Sequence, residues 1–150
     1  MKTEWLNYLE SVGLEGIFLS RVEEVLNFYE QVYPDQIEDI FISEYVDNDR
    51  NRHYEGMWLF TENSFMEAEG FLNEHDFDSS PLKGEVSYWN IRKTEYNFRQ
   101  ATAESRMALD FSARTRVRGK LKSSGENCDK LKEIFLKYII PNELTDRAAR

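Results

Sequence analysis

Pro34 divides the chain by hydrophobic period, and this division limits the available folds more tightly than composition does. Before it, Trp5, Leu6, Leu9 and Val12 recur at helical spacing; after a break at Gly13, so do Leu14, Phe18, Val22, Val25, Leu26 and Tyr29, with Thr3 as the expected N-cap. Beyond Pro34 the apolar residues come in short runs bounded by turn residues. These are Ile40 to Val46, Tyr54 to Thr61, Ser64 to Glu69, Val86 to Phe98 with a bend near Asn90 to Thr94, Ser105 to Ser112, and Thr115 to Leu121. Residues 71–84 are polar and irregular, and read as a loop or short crossover. Helical spacing returns once: Ser123, Ser124 and Gly125 open a helix whose Cys128, Leu131, Ile134, Phe135, Tyr138 and Ile139 share a face and which stops at Pro141. The pattern predicts an α+β fold: a bent antiparallel sheet or partly open barrel of about seven strands, with a C-terminal amphipathic helix from Gly125 to Ile140 and an N-terminal helical extension. Within the second run Trp58 and Phe60 take one face and Met57 and Leu59 the other, so that strand is expected to be covered on both sides.

A chain of 150 residues suffices for a single domain, burying about 70% of its unfolded surface without disulfide or metal staples. The expected division is a helical extension over 1–34 and a core over 37–140. One cysteine excludes an internal disulfide and favours a reducing compartment. The longest apolar stretch, Ile134 to Ile140, is interrupted by Lys137 and too short to span a bilayer, and an acid stands at Glu4 before any apolar run, so the expectation is a cytoplasmic protein.

The net charge of −9 is unevenly spread: residues 1–91 carry −15, residues 92–122 carry +6, and the remainder is neutral. Acidity of this size excludes general affinity for duplex nucleic acid. His53, His75 and Cys128 show none of the short-range pairs of a zinc site. Asp47, Asp49 and Asn51 open at calcium-loop spacing, but Arg52 and Trp58 stand where glycine and glutamate are required, so the stretch reads as a solvated turn. Cys128 belongs to a helix stripe, no phosphate loop or dinucleotide fingerprint is present, and acid pairs such as Glu74 with Asp76 are expected by chance in a chain with 28 acids. No cofactor, metal or catalytic residue is predicted.

A meander of about seven strands closed by a C-terminal amphipathic helix resembles the pleckstrin-homology-like superfold, in particular its GRAM and bacterial PH-like members. The stretch from Gly56 to Glu67, strand, Thr61-Glu62-Asn63 turn and strand, is similar to that family's hairpin, and Val86 to Ile91 after Pro81-Leu82 resembles its next strand. The resemblance covers Ile37 to Ile140. It implies a binding or scaffolding module for phosphoinositides or proteins. Such domains usually place their phosphoinositide-binding bases on the first two strands and their connecting turn. Here Arg50, Arg52 and His53 are offset by Asp47, Asp49 and Glu55.

The basic segment is the candidate site. Arg114, Arg116, Arg118, Lys120 and Lys122 occupy alternate positions, which puts five cations on one face of a strand. If Met107, Leu109 and Phe111 share a core with Val117 and Leu121, the two strands pair odd with odd, and Arg106 joins the basic face with Asp110. Arg106 is then expected opposite Lys120 or Lys122, a like-charge mismatch that an anion would relieve. Two explanations stand: a solvated face neutralised by acids elsewhere, or a ligand-binding surface of Arg106, Arg114, Arg116, Arg118, Lys120 and Lys122. The expected partner is an acidic protein segment, with an anionic lipid headgroup as the other anion. The alternative function is an acidic inhibitor or immunity-type protein that covers a basic partner with its N-terminal region. The apolar surplus of the helix before Pro34, including Leu19 and Phe28, adds the expectation of a homodimer.

Overall fold

Alternation along the first strands divides one sheet between two cores. The computed structural model describes residues 1–33, 35–69, 86–101, 106–113 and 117–141. Helices α1 (Thr3–Ser11) and α2 (Ile17–Val32) precede strands β1 (Asp39–Val46), β2 (Arg52–Phe60), β3 (Ser64–Glu69) and β4 (Val86–Asn90). A 3-10 turn at Ile91–Lys93 leads to β5 (Thr94–Ala101), β6 (Arg106–Ala113) and β7 (Val117–Ser124), and α3 (Asn127–Ile134) continues as a π-helical turn over Phe135–Ile139. Thr3 is the first helical residue rather than the cap, and Lys2 holds the extended cap conformation. Ser123 and Ser124 end β7 instead of opening the helix. The expected loop over 71–84 lies outside the described residues.

The fold is α+β and antiparallel, but not one seven-stranded sheet: β1-β2-β3-β4 form one sheet and β5-β6-β7 a second. The corner between them is built locally. Asn90 accepts from the Arg92 N–H at 3.0 Å, Thr94 Oγ1 donates to the Asn90 carbonyl at 2.8 Å, and Tyr96 Oη donates to the Ile91 carbonyl at 3.0 Å. These bonds satisfy the peptide groups that leave the first ladder.

Ile40, Ile42, Met57, Leu59 and Met66 point from the first sheet toward α1 and α2, meeting Trp5, Leu9, Val22, Val25 and Leu26. Their neighbours Phe41, Trp58, Phe60 and Phe65 point the other way, to Trp89, Leu109, Phe111, Leu121 and the α3 residues Leu131 and Ile134. One face is aliphatic and the other aromatic. This two-sided cover accounts for unbroken apolar runs in strands that are antiparallel, where alternation with polar residues is usual. The helices before Pro34 are therefore a layer of the fold. Leu19 and Phe28, the surplus that motivated a homodimer, pack partly buried against the same core. Among the described residues no helix is long and apolar enough to cross a membrane.

Between β1 and β7 side chains stand where a ladder would close a barrel. Ile42 turns its peptide groups to the free edge of β1. Its N–H donates to Tyr8 Oη at 2.8 Å, its carbonyl accepts from Asn127 Nδ2 at 2.9 Å, and Tyr8 Oη donates to Asn127 Oδ1 at 2.8 Å. Farther along, Ser43 Oγ accepts from the Lys122 N–H at 2.9 Å, while Glu44 Oε1 accepts from the N–H and Oγ of Ser124 at 3.3 and 3.1 Å.

Candidate functional site: a cationic cup on the second sheet

The expected pairing of odd with odd holds in β6 and β7, but the register differs. Leu109 faces Leu121 and Phe111 faces Gly119, which sets Ala108 opposite Lys122, Asp110 opposite Lys120, Ser112 opposite Arg118 and Arg106 opposite Ser124. The expected mismatch of Arg106 with Lys120 or Lys122 is absent. Two contacts explain the shift. The Phe111 ring lies over Gly119, where a β-carbon would strike it, and β7 extends to Ser124, whose N–H and hydroxyl meet the buried Glu44 carboxylate. Arg114 and Arg116 lie outside the described residues, and Arg118 is placed by its backbone on β7. Lys120 is exposed beside Asp110.

The register gathers cations around a small residue. Ala108 has Arg99 of β5 on one side and Lys122 of β7 on the other, as direct cross-strand partners. Arg106, two residues earlier on β6, shares that face. A cavity of about 380 Å³ opens here, lined by Arg99, Arg106, Ala108 and Lys122 and bounded by Tyr45 and Val46 of β1. Glu44 is the acid in this lining. Its carboxylate is fully buried and held by Arg52, whose Nη2 donates to Oε1 at 2.8 Å while Nε faces Oε2.

Carboxylates orient the cup's cations. Arg99 Nη2 donates to Asp110 Oδ1 at 3.0 Å and its Nε lies 2.7 Å from Oδ2. Lys122 Nζ lies 2.6 Å from Glu55 Oε1 and 5.3 Å from the centre of the Tyr45 ring. Glu55 reaches it because β1 and β2 shift register between Ser43 and Glu44, leaving Glu55 as the bulged residue between Gly56 and Tyr54. Both pairs are partly exposed, with Arg99 at 52% and Lys122 at 38%, so each is worth no more than about 1 kcal/mol and exchanges readily.

Arg99, Tyr45 and Glu55 escaped the sequence reading. Arg99 was legible in principle, since Glu95, Asn97 and Arg99 alternate with Tyr96 and Phe98; ending the strand at Phe98 hid it. The other two reach the cup through the β1–β2 bulge and the meeting of β1 with β7, which no local pattern encodes.

The β1–β2 turn is consumed by its own contacts. Asp47 Oδ1 accepts from the Asp49 and Asn51 N–H groups at 2.9 and 2.8 Å, and its Oδ2 lies 2.7 Å from His53 Nε2. The hydrogen bond with His53, helped by the backbone donors, holds the Asp47 carboxyl below its usual range. Arg52 is committed to Glu44 and to the Val12 carbonyl. Among the described residues no group of three or more His, Cys, Asp or Glu side chains is placed to hold a metal ion. The chain matches no family model, and no curated protein matches it either.

Proposed function

We propose that the chain is a non-enzymatic, PH-like binding or scaffolding module that recognises an acidic protein segment through the cup over Ala108. The observation that carries this reading is the convergence of Arg99, Arg106 and Lys122 around one small residue on an open sheet face. The PH-like assignment is supported by the order of elements, a seven-strand meander divided four and three and followed by a helix, but fold by itself does not transfer function. A non-enzymatic role fits the state of two reactive side chains: Cys128 is buried, accepting from Ser123 Oγ at 3.3 Å, and His53 is bound to Asp47 and stacked on Tyr45. The −15 of residues 1–91 disfavours an anionic bilayer as the target. The test is titration with a poly-glutamate peptide across a salt series. The wild type should bind with affinity that falls as salt rises, and R99Q/K122Q should bind at least about tenfold more weakly; equal, salt-independent behaviour of the two would reduce the cup to a solvated face.

A second surface favours a different partner. A groove of about 590 Å³ between α1 and α2 is floored by Trp5, Leu26 and Ile37 and bordered by Glu23, Glu30 and Asp35. Lys2 Nζ lies 4.7 Å from the centre of the Trp5 ring. This surface suits the alternative of an acidic inhibitor or immunity-type protein with a basic partner. Charge reversal at Glu15, Glu23 and Glu30 should weaken such a complex and leave cup binding unchanged.

A further inference from the structure

We infer that the cup is a phosphomonoester site and that its ligand is a phosphoserine or phosphothreonine on a protein segment; this rests on reading the cup as an anion site. A ligand of the cup must compete with the resident carboxylates. Arg99 already has Asp110 and Lys122 already has Glu55. A carboxylate from a partner offers each cation only what it holds now. A phosphate ester carries about −1.5 to −2 charges at pH 7 and three strong acceptor oxygens, so one group engages several cations at once.

The donors needed for this remain. Asp110 engages Nε and Nη2 of Arg99, leaving the rest of the guanidinium fork, and Lys122 keeps donors beyond the one directed at Glu55. Asp110 and Glu55 thus orient the cations without exhausting them. The methyl group of Ala108 leaves room between Arg99 and Lys122 that a longer side chain would fill. The site lies on the outer face of the second sheet and borders the end of β1, beside the β1–β2 turn, whose flanking Arg52 and His53 are otherwise bound. A protein is favoured over a lipid as carrier of the phosphate because a bilayer would meet the acidic bulk of the molecule, whereas a narrow segment meets only the cup.

The experiment is calorimetric titration of the full chain with three probes: a short Gly-Ser peptide carrying one phosphoserine, its twin with glutamate at that position, and vesicles containing a phosphatidylinositol phosphate. The phosphopeptide should bind at least about tenfold more tightly than its twin. That preference should shrink as pH falls through about 6, where phosphate loses its second charge. R99Q and K122Q should each lower phosphopeptide affinity, with far-UV circular dichroism unchanged. Equal binding of the two peptides would overturn the phosphate assignment while sparing the acidic-segment reading. Binding of neither would overturn both, and binding confined to the vesicles would overturn the protein source. The comparison of peptides on the wild type needs no variant to fold.

Discussion

Two polar side chains, the half-buried Tyr8 and the buried Glu44, decide how the edge of β1 is finished. Glu44 is a carboxylate without solvent contact, stabilised by Arg52 and Ser124. Burial alone would weaken the charged state of Arg52, but its hydrogen bond and charge interaction with Glu44 prevail and hold it firmly protonated. R52M should therefore destabilise the fold by about 3 kcal/mol, the low end for a broken buried pair, because the arginine side chain is a third exposed. Urea unfolding measures it, and the double variant with E44Q should recover part of the loss; a single variant as stable as wild type would show that the pair is dispensable. Tyr8 Oη both accepts from Ile42 and donates to Asn127. Y8F leaves those two groups without their partner, at about 1–3 kcal/mol for each that stays dry. Little of this was legible: Tyr8 reads as one more residue on an amphipathic helix, and Glu44 as one more acid.

At the scale of elements, alternation was legible and register was not. The covered state of β2 followed from Met57, Trp58, Leu59 and Phe60, because alternate side chains must take opposite faces. The facing order of β6 and β7 did not follow, since several registers keep apolar residues on one side and differ only by steps of two. Gly119 selects among them. The Phe111 ring fills the space above its α-carbon and meets Trp89 and Trp58 edge-on, at centroid distances of 4.8 and 5.3 Å. A β-carbon there forces the ring out of the aromatic core. G119A should cost about 1–3 kcal/mol, as overpacking usually does, and should diminish the near-UV circular dichroism of the tryptophans; an unchanged spectrum and melting temperature would show that the ring relocates freely.

For the whole molecule, the two layers that cover opposite faces of the first sheet bury or half-bury several tyrosines, and the consequence appears at alkaline pH. Burial pushes Tyr29 up to about 12 and raises Tyr8, Tyr54 and Tyr138 as well. The folded chain then keeps protons that the unfolded chain releases above about pH 10. This contribution to stability is present in full below that pH and is lost as pH rises toward and past about 12. Tyrosinate absorbance should accordingly develop in two stages, exposed tyrosines first and these four together with unfolding; a smooth native titration of every tyrosine would contradict it. The sequence alone determined what depends on neighbours along the chain: helical and strand periods, the bend near Asn90 to Thr94, the closing helix, and the alternation of cations in β7. Tertiary structure decided what depends on residues far apart. It divided the strands into two sheets, made the N-terminal helices the cover of an aliphatic sheet face, and brought Arg99, Arg106 and Lys122 around Ala108. Periodicity says which face a side chain takes, whereas the partner across a strand or layer is selected by shape and hydrogen bonding between distant segments, as Gly119 with Phe111 and Glu44 with Ser124 show.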